Sequence, residues 1–273
     1  MILLAALLHA GWNAVYKGRG SGLATGMVIS LGMGGASLLA LPFLPPPPQE
    51  SWLFLGTSVA LHICYRTFLA ASYRHGDLGQ IYPISRGVAP LLVTLVSVFW
   101  LGDKLAYPTI LGIICVVIGV TSLAFRSNSI STFHTLKPVA LAIVTGCFIA
   151  AYTITDGLGA RIAGSPHSYV FWMMAIDTVI FVPVIGYLRF NTLRKFTPID
   201  WLIGLSCGVT ALIAYWLFVW AITLAPIAPA TALRETSVIF AAIIGIIFLK
   251  ESFGRWRILA AILVTTGAVL MRL

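Results

Sequence analysis

Two arginines stand where a chain this apolar has little room for charge. Arg86 lies about eight residues into LGQIYPISRGVAPLLVTLVSVFWLGD (78–103), and Arg234 about as deep in IAPATALRETSVIFAAIIGIIFLKE (227–251). Inside a membrane a guanidinium does one of two things. It binds a carboxylate or phosphonate through paired hydrogen bonds, or it pins neighbouring helices by holding their carbonyls and carboxylates. The two stretches slide onto each other without gaps. Arg86 falls on Arg234, Leu101 on Leu249, Asp103 on Glu251 and, further along, Gly119 on Gly267. Apolar runs align cheaply, so the arginines and the acidic exits carry the match, which is an internal repeat.

Other polar residues share these apolar runs, and an ionisable group at mid-bilayer costs about 2.5–3.5 kcal/mol even on the mildest scale. His9, Asn13 and Lys17 are spaced four apart on one helical face, with Trp12 beside them. Asn13 is either a contact between helices or a contact to substrate, and Lys17 is placed to snorkel to the interface. His62 and Arg66 repeat the spacing next to Tyr65, and Tyr82 shares a face with Arg86 between Pro83 and Pro90. Those prolines free backbone carbonyls and mark a possible break in the helix. Asp177 and Glu235 lie mid-span, where a carboxylate serves as a proton carrier or as an arginine's permanent partner. Asp156 falls at the end of its span. Tyr152, Tyr215, Trp216 and Trp220 either wall a cavity or belong to the core. The expected substrate-binding set is therefore Trp12, Asn13, Tyr65, Arg66, Tyr82, Arg86, Tyr152, Tyr215, Trp216 and Arg234, with Glu235 and Asp177 as proton-coupling residues. No Ser–His–Asp arrangement, phosphate-cradling glycine loop or helical HExxH is found, so neither catalytic residues nor a cofactor is expected. Cys64, Cys115, Cys147 and Cys207 have no metal-ligand spacing, and no metal is expected either.

The elements that position these residues follow from composition. The 273 residues are 59% hydrophobic and 9% charged, against about a quarter charged in soluble domains. This composition predicts an all-α integral membrane protein. Ten segments are long and apolar enough to span: 2–17, 22–44, 52–74, 78–101, 106–125, 136–156, 168–189, 200–223, 227–249 and 255–272. Pro45–Pro48 predicts a rigid extended turn after the second. The repeat divides the chain into 1–126, a linker at 127–137, and 138–273. Five spans per half is an odd number, so the second half must be inverted relative to the first, an architecture that puts a substrate site where the repeats meet. Gly22 with Gly26, the Gly32–Gly34–Gly35 cluster and Gly204 with Gly208 predict close helix packing.

The net charge of +9 sits in short loops, which reads as a topology signal and not as a nucleic-acid surface. The side opposite the N-terminus carries Lys17, Arg19, Arg74, Arg126, Lys137, Arg189, Arg194, Lys195, Lys250, Arg255 and Arg257, and the N-terminal side only Lys104, Arg161 and Arg272. This count places both termini outside the cytoplasm.

Two five-span halves, each with a fourth span ending in an aliphatic run and an acid (FWLGD, IFLKE), resemble the drug/metabolite transporter superfamily and within it the EamA family. HAGWNAVYK, YRHGDLGQIYPISRGVAP and AAYTITDGLG resemble one bacterial subgroup. The resemblance implies a ten-helix basket in the bacterial inner membrane, acting as monomer or homodimer. Its central cavity would be lined by Trp12, Asn13, Tyr65, Tyr82, Arg86, Tyr152 and Arg234. It also implies cytoplasmic termini, opposite to the charge count. The combined expectation is a secondary transporter, exporting a small polar metabolite such as an amino acid or organic anion, driven by protons or by the substrate's own gradient. Its partners are the lipid bilayer and a small-molecule substrate. Multidrug or cation transport and passive facilitation remain alternatives, with a lipid-headgroup enzyme behind them.

Overall fold

The structure, a computed structural model, describes residues 1–17, 22–75, 78–126, 136–249 and 255–271. Glu251, Lys250, Arg19, Arg272 and most of the expected linker lie outside them. Among the described residues the regular elements are all helical. The first half contains α1 (Ile2–Lys17), α2 (Leu23–Ala40), α3 (Trp52–His75), α4 (Leu78–Phe99) and α5 (Tyr107–Ser122). The second contains α6 (Leu136–Ile162), α7 (Pro166–Leu188), the single turn α8 (Phe190–Leu193), α9 (Pro198–Leu224), α10 (Ile227–Arg234), α11 (Ser237–Leu249) and α12 (Arg255–Leu270). Six of these, α2, α3, α4, α6, α7 and α9, are long and apolar enough to cross a bilayer, while α1, α5 and α12 are shorter apolar helices. The protein is a multi-pass, all-helical membrane protein.

Local chemistry sets the ends. Where Pro42 enters, α2 tightens into a 3₁₀ turn, Leu41–Phe43, and the chain then runs extended to Pro48 (φ −62°, ψ 152°), the rigid turn expected there. Thr197 and Asp200 close a capping box at the start of α9. At the end of α9, Arg161 Nη2 donates to the carbonyl oxygens of Ile222 at 2.7 Å and Ala225 at 2.8 Å. Arg161, counted above as a topology charge, thus satisfies helix-end carbonyls that have no partner within their own helix.

Two helices differ from their expected course. The sixth span was expected to stop at 156, but α6 continues to Ile162. Gly157 and Gly159 do not end it. They let other groups come close, since a Cβ on Gly157 would lie 2.7 Å from Ile227 Cδ1 and one on Gly159 2.6 Å from the Tyr169 ring. The ninth span is not continuous but divides into α10 and α11. Across the break the backbone bonds tighten to a three-residue register, Glu235 N to Ala232 O at 3.0 Å and Thr236 N to Leu233 O at 3.1 Å. The Thr236 hydroxyl also donates to Leu233 O at 2.8 Å. By contrast α4 runs unbroken through Pro83 and Pro90, so the break lies in the other copy of the repeat from the one the prolines marked.

The packing repeats when the halves are exchanged. α3 packs on α6 as α9 packs on α1, and α4 packs on α6 as α11 packs on α1; α4 on α5 is matched by α11 on α12, and α7 on α3 by α2 on α9. The equivalent helices α5 and α12 pack on each other and run antiparallel. A Cβ on Gly112 would lie 2.6 Å from Gly267 O, and one on Gly119 3.2 Å from Ala260 O. In the register that places Gly119 on Gly267, these two contacts are images of each other.

Backbone approaches backbone most closely between α2 and α9. A Cβ on Gly208 would lie 2.3 Å from Ile29 O, and one on Gly32 2.4 Å from Leu205 O. Gly22 and Gly26 meet nothing within 4 Å and are not packing glycines. Gly208→Leu is therefore expected to force the two backbones apart at a cost of about 3 kcal/mol or more, at the upper end of overpacking. Gly35→Ala, which enters open space, is expected to change little; thermal melting of the two purified variants checks the contrast.

Candidate functional site

The centre is built on α4 and on the break between α10 and α11. Arg86 Nε donates to Glu235 Oε2 at 3.0 Å, with the two side chains only 5% and 2% exposed. Glu235 is the C-cap of α10, next in sequence to Arg234. The pair joins the two halves. Arg86 Nη2 is buried without a partner, so the guanidinium keeps unused donor capacity. Its Cζ lies 5.8 Å from the Tyr82 ring centroid, and the Tyr82 hydroxyl is 3.5 Å from His9 Nε2. His9 meets Trp12 edge to face at 5.3 Å. Asn13 turns back on its own helix, its Nδ2 donating to His9 O at 2.7 Å.

Arg234, the repeat image of Arg86, has quite different surroundings. Its Cζ lies 4.3 Å from the Phe218 ring centroid and 5.7 Å from that of Tyr215. It is 7% exposed. Among the described residues it has neither an ion-pair partner nor a hydrogen bond. The difference can be read from the repeat register, which sets Gly87 opposite Glu235. A side chain at 87 has no room, since a Cβ there would lie 2.3 Å from Thr121 Cγ2. The first half therefore offers Arg234 no carboxylate in the place where the second half offers one to Arg86.

Next to Arg234 stands an aromatic wall. His62 stacks on Tyr152 at 4.1 Å and meets Tyr215 edge to face at 5.5 Å, and Tyr65 meets Tyr152 at 5.6 Å. Behind this wall lies Asp156, fully buried. It accepts hydrogen bonds from the Tyr169 hydroxyl at 3.0 Å and from the Tyr215 hydroxyl. The expected course of α6 left Asp156 at a span end, whereas α6 continues past it to Ile162.

The remaining expected residues lie in other clusters. Arg66 pairs with Asp177, linking α3 to α7, and its Cζ lies 4.0 Å from the Phe181 ring centroid. Thr178 Oγ1 donates to Ser30 O at 2.9 Å, tying α2 to the same joint. Trp216 donates from Nε1 to His167 Nδ1 at 2.8 Å and stacks with Trp220 at 5.9 Å, in a group on α7 and α9. Trp12, Asn13, Tyr65, Tyr82, Arg86, Tyr152, Tyr215, Arg234 and Glu235 thus make up one connected centre, with Arg66–Asp177 and Trp216 set in separate contacts.

The model of the EamA-like transporter family matches residues 1–125 and 136–273. No curated protein gives a match. A solved structure described only as "Crystal structure of protein" superposes with a TM-score of 0.78 over 99% of this chain and 95% of its own, at 14% identity. That likeness is one of fold.

Proposed function

Because the chain belongs to the EamA-like transporter family, we propose that it is a secondary transporter of a small polar metabolite carrying an anionic group. Ten spans form two inverted halves, and the site alternates between the two faces of a bacterial inner membrane. The antiparallel packing of α5 on α12 supports the inversion. The observation that carries the substrate class is Arg234, a buried guanidinium with no ion-pair contact among the described residues, seated on aromatic rings. A carboxylate or phosphonate supplies that counter-charge in two parallel hydrogen bonds. Tyr65, Tyr82, Tyr152 and Tyr215 enclose the rest of the ligand, with Trp12 and Asn13 on the α1 side.

Arg86 and Glu235 contribute as a pair that opens when the halves part. The proton role expected of Glu235 and Asp177 becomes an exchange of partners in this reading, because each takes a proton only by releasing its arginine. The charge count supports termini outside the cytoplasm, and export is the direction we assign.

A thermal-shift screen of the purified protein tests the substrate class. A ligand that binds only the folded form stabilises it by mass action. Amino acids, organic anions or phosphonates are expected to raise the melting temperature. Stabilisation by organic cations alone would overturn the anion reading and put drug export in its place.

A further inference from the structure

Three carboxylates are buried inside the described helices and the break: Asp156, Asp177 and Glu235. Asp177 and Glu235 each have an arginine, but Asp156 has none. Its two oxygens accept from phenol hydroxyls, Tyr169 at Oδ1 and Tyr215 at Oδ2, with the Ser58 hydroxyl also in hydrogen-bonding reach and His62 as the neighbouring titratable group. A carboxylate buried without an arginine or lysine partner is neutralised by a proton, on itself or on the neighbouring imidazole. We propose that Asp156 is a proton-binding site, distinct from the anion anchor at Arg234 and linked to it through Tyr215. This rests on the transporter reading above.

The elements packed on α6 bring the following titratable groups among the described residues. α3 brings His62, with Arg66 one turn beyond, and α7 brings His167, Tyr169 and Asp177. α9 brings Tyr215, α4 brings Tyr82 and Arg86, and α10 brings Arg234 with Glu235 at its end. Glu50 lies on the short turn before α3, and Tyr152 is one turn earlier on α6 itself. Of these, Tyr169 and Tyr215 hydrogen-bond to the carboxylate. The His62 Nδ1 is engaged with Ser58, 3.0 Å from its carbonyl oxygen and 3.2 Å from its hydroxyl.

Tyr215 is the link. Its hydroxyl is on Asp156 and its ring is 5.7 Å from the Arg234 guanidinium carbon. In the charged state Asp156 accepts from both phenols. When a hydronium ion from the aqueous side gives up its proton, the new O–H bond forms on Asp156 and water is left behind. That oxygen then becomes a donor, the Tyr215 hydroxyl must reorient, and the ring beneath Arg234 is free to follow. The proton leaves to water on the opposite side. A proton and an anion crossing together carry no net charge through the bilayer, which favours the pairing of these two sites.

Infrared difference spectra of the purified full chain, recorded on lowering the pH, test the site without any ligand. The wild type is expected to gain a buried carboxylic-acid carbonyl band. Asp156→Asn should remove it, whereas Asp177→Asn and Glu235→Gln should keep it. Tyr215→Phe retains the ring and loses one hydrogen bond at Oδ2, so the band should persist at a higher frequency; this variant carries the test if Asp156→Asn does not fold. A band that survives Asp156→Asn, or whose frequency Tyr215→Phe leaves unchanged, overturns the assignment, as does a wild type with no such band. The transporter reading fails separately. Proteoliposomes under a pH gradient, with glutamate and methylphosphonate as probes, would then show no accumulation while the band still behaved as described.

Discussion

Arg86→Ala is expected to cost about 3–5 kcal/mol of stability, because it strands Glu235 as a lone charge in a dry interior. The pair is 5% and 2% exposed, so solvent does little to replace the lost partner. Glu235 also sits in the turn where α10 gives way to α11, so the cost of its unpaired, desolvated charge acts directly on that break. Adding Glu235→Gln to Arg86→Ala is expected to recover most of the loss, since the neutral amide no longer needs a cation. Thermal melting of the two single variants and the double variant gives the coupling directly. A double variant as unstable as Arg86→Ala would show that the cavity left by the guanidinium, and not the stranded charge, sets the cost.

Arg234→Ala is expected to have the opposite profile, a small change in melting temperature with a loss of anion binding of about 100-fold or more. Truncating one partner of a buried, hydrogen-bonded charge pair costs about 2–5 kcal/mol, and here the missing partner would be the ligand's own anionic group. The empty protein loses only the contact with the Phe218 and Tyr215 rings, worth about 1–2 kcal/mol at a desolvated site. Arg234→Lys keeps the charge without the planar fork and is expected to restore binding only in part. The readout is the ligand-induced melting shift of each variant. An unchanged shift in Arg234→Ala would remove Arg234 from the site.

Much of this was legible in the sequence. Long apolar runs mark helices reliably because the backbone in a bilayer has few other ways to satisfy its polar groups. The repeat register joined Arg86 to Arg234 before any contact was known. It could not tell that the two arginines would differ, because the pairing of Arg86 with Glu235 spans 149 positions and depends on how the halves meet. The clue was present in the opposition of Gly87 to Glu235, but it carries meaning only once Thr121 is seen to fill the space. Asp156 was hidden for a different reason. Gly157 and Gly159 follow it at once, and only the approach of Ile227 and Tyr169 shows that they serve packing inside a longer helix. The helix break was sought at Pro83 and Pro90, yet it arose at Glu235 and Thr236, where a hydroxyl competes for a backbone carbonyl.

The mismatch of Gly87 with Glu235 has a bearing on how the molecule rests when empty. A machine assembled from two like halves has two mirror forms, and perfect likeness would make them equal in energy. A single carboxylate on one side removes that equality. Each 1.4 kcal/mol or so of difference is about a tenfold change in occupancy, so a salt bridge formed in one form and open in the other is enough to fix a resting posture. On the mechanism proposed here, the empty protein waits facing one way, and the incoming anion must contribute the energy that turns it.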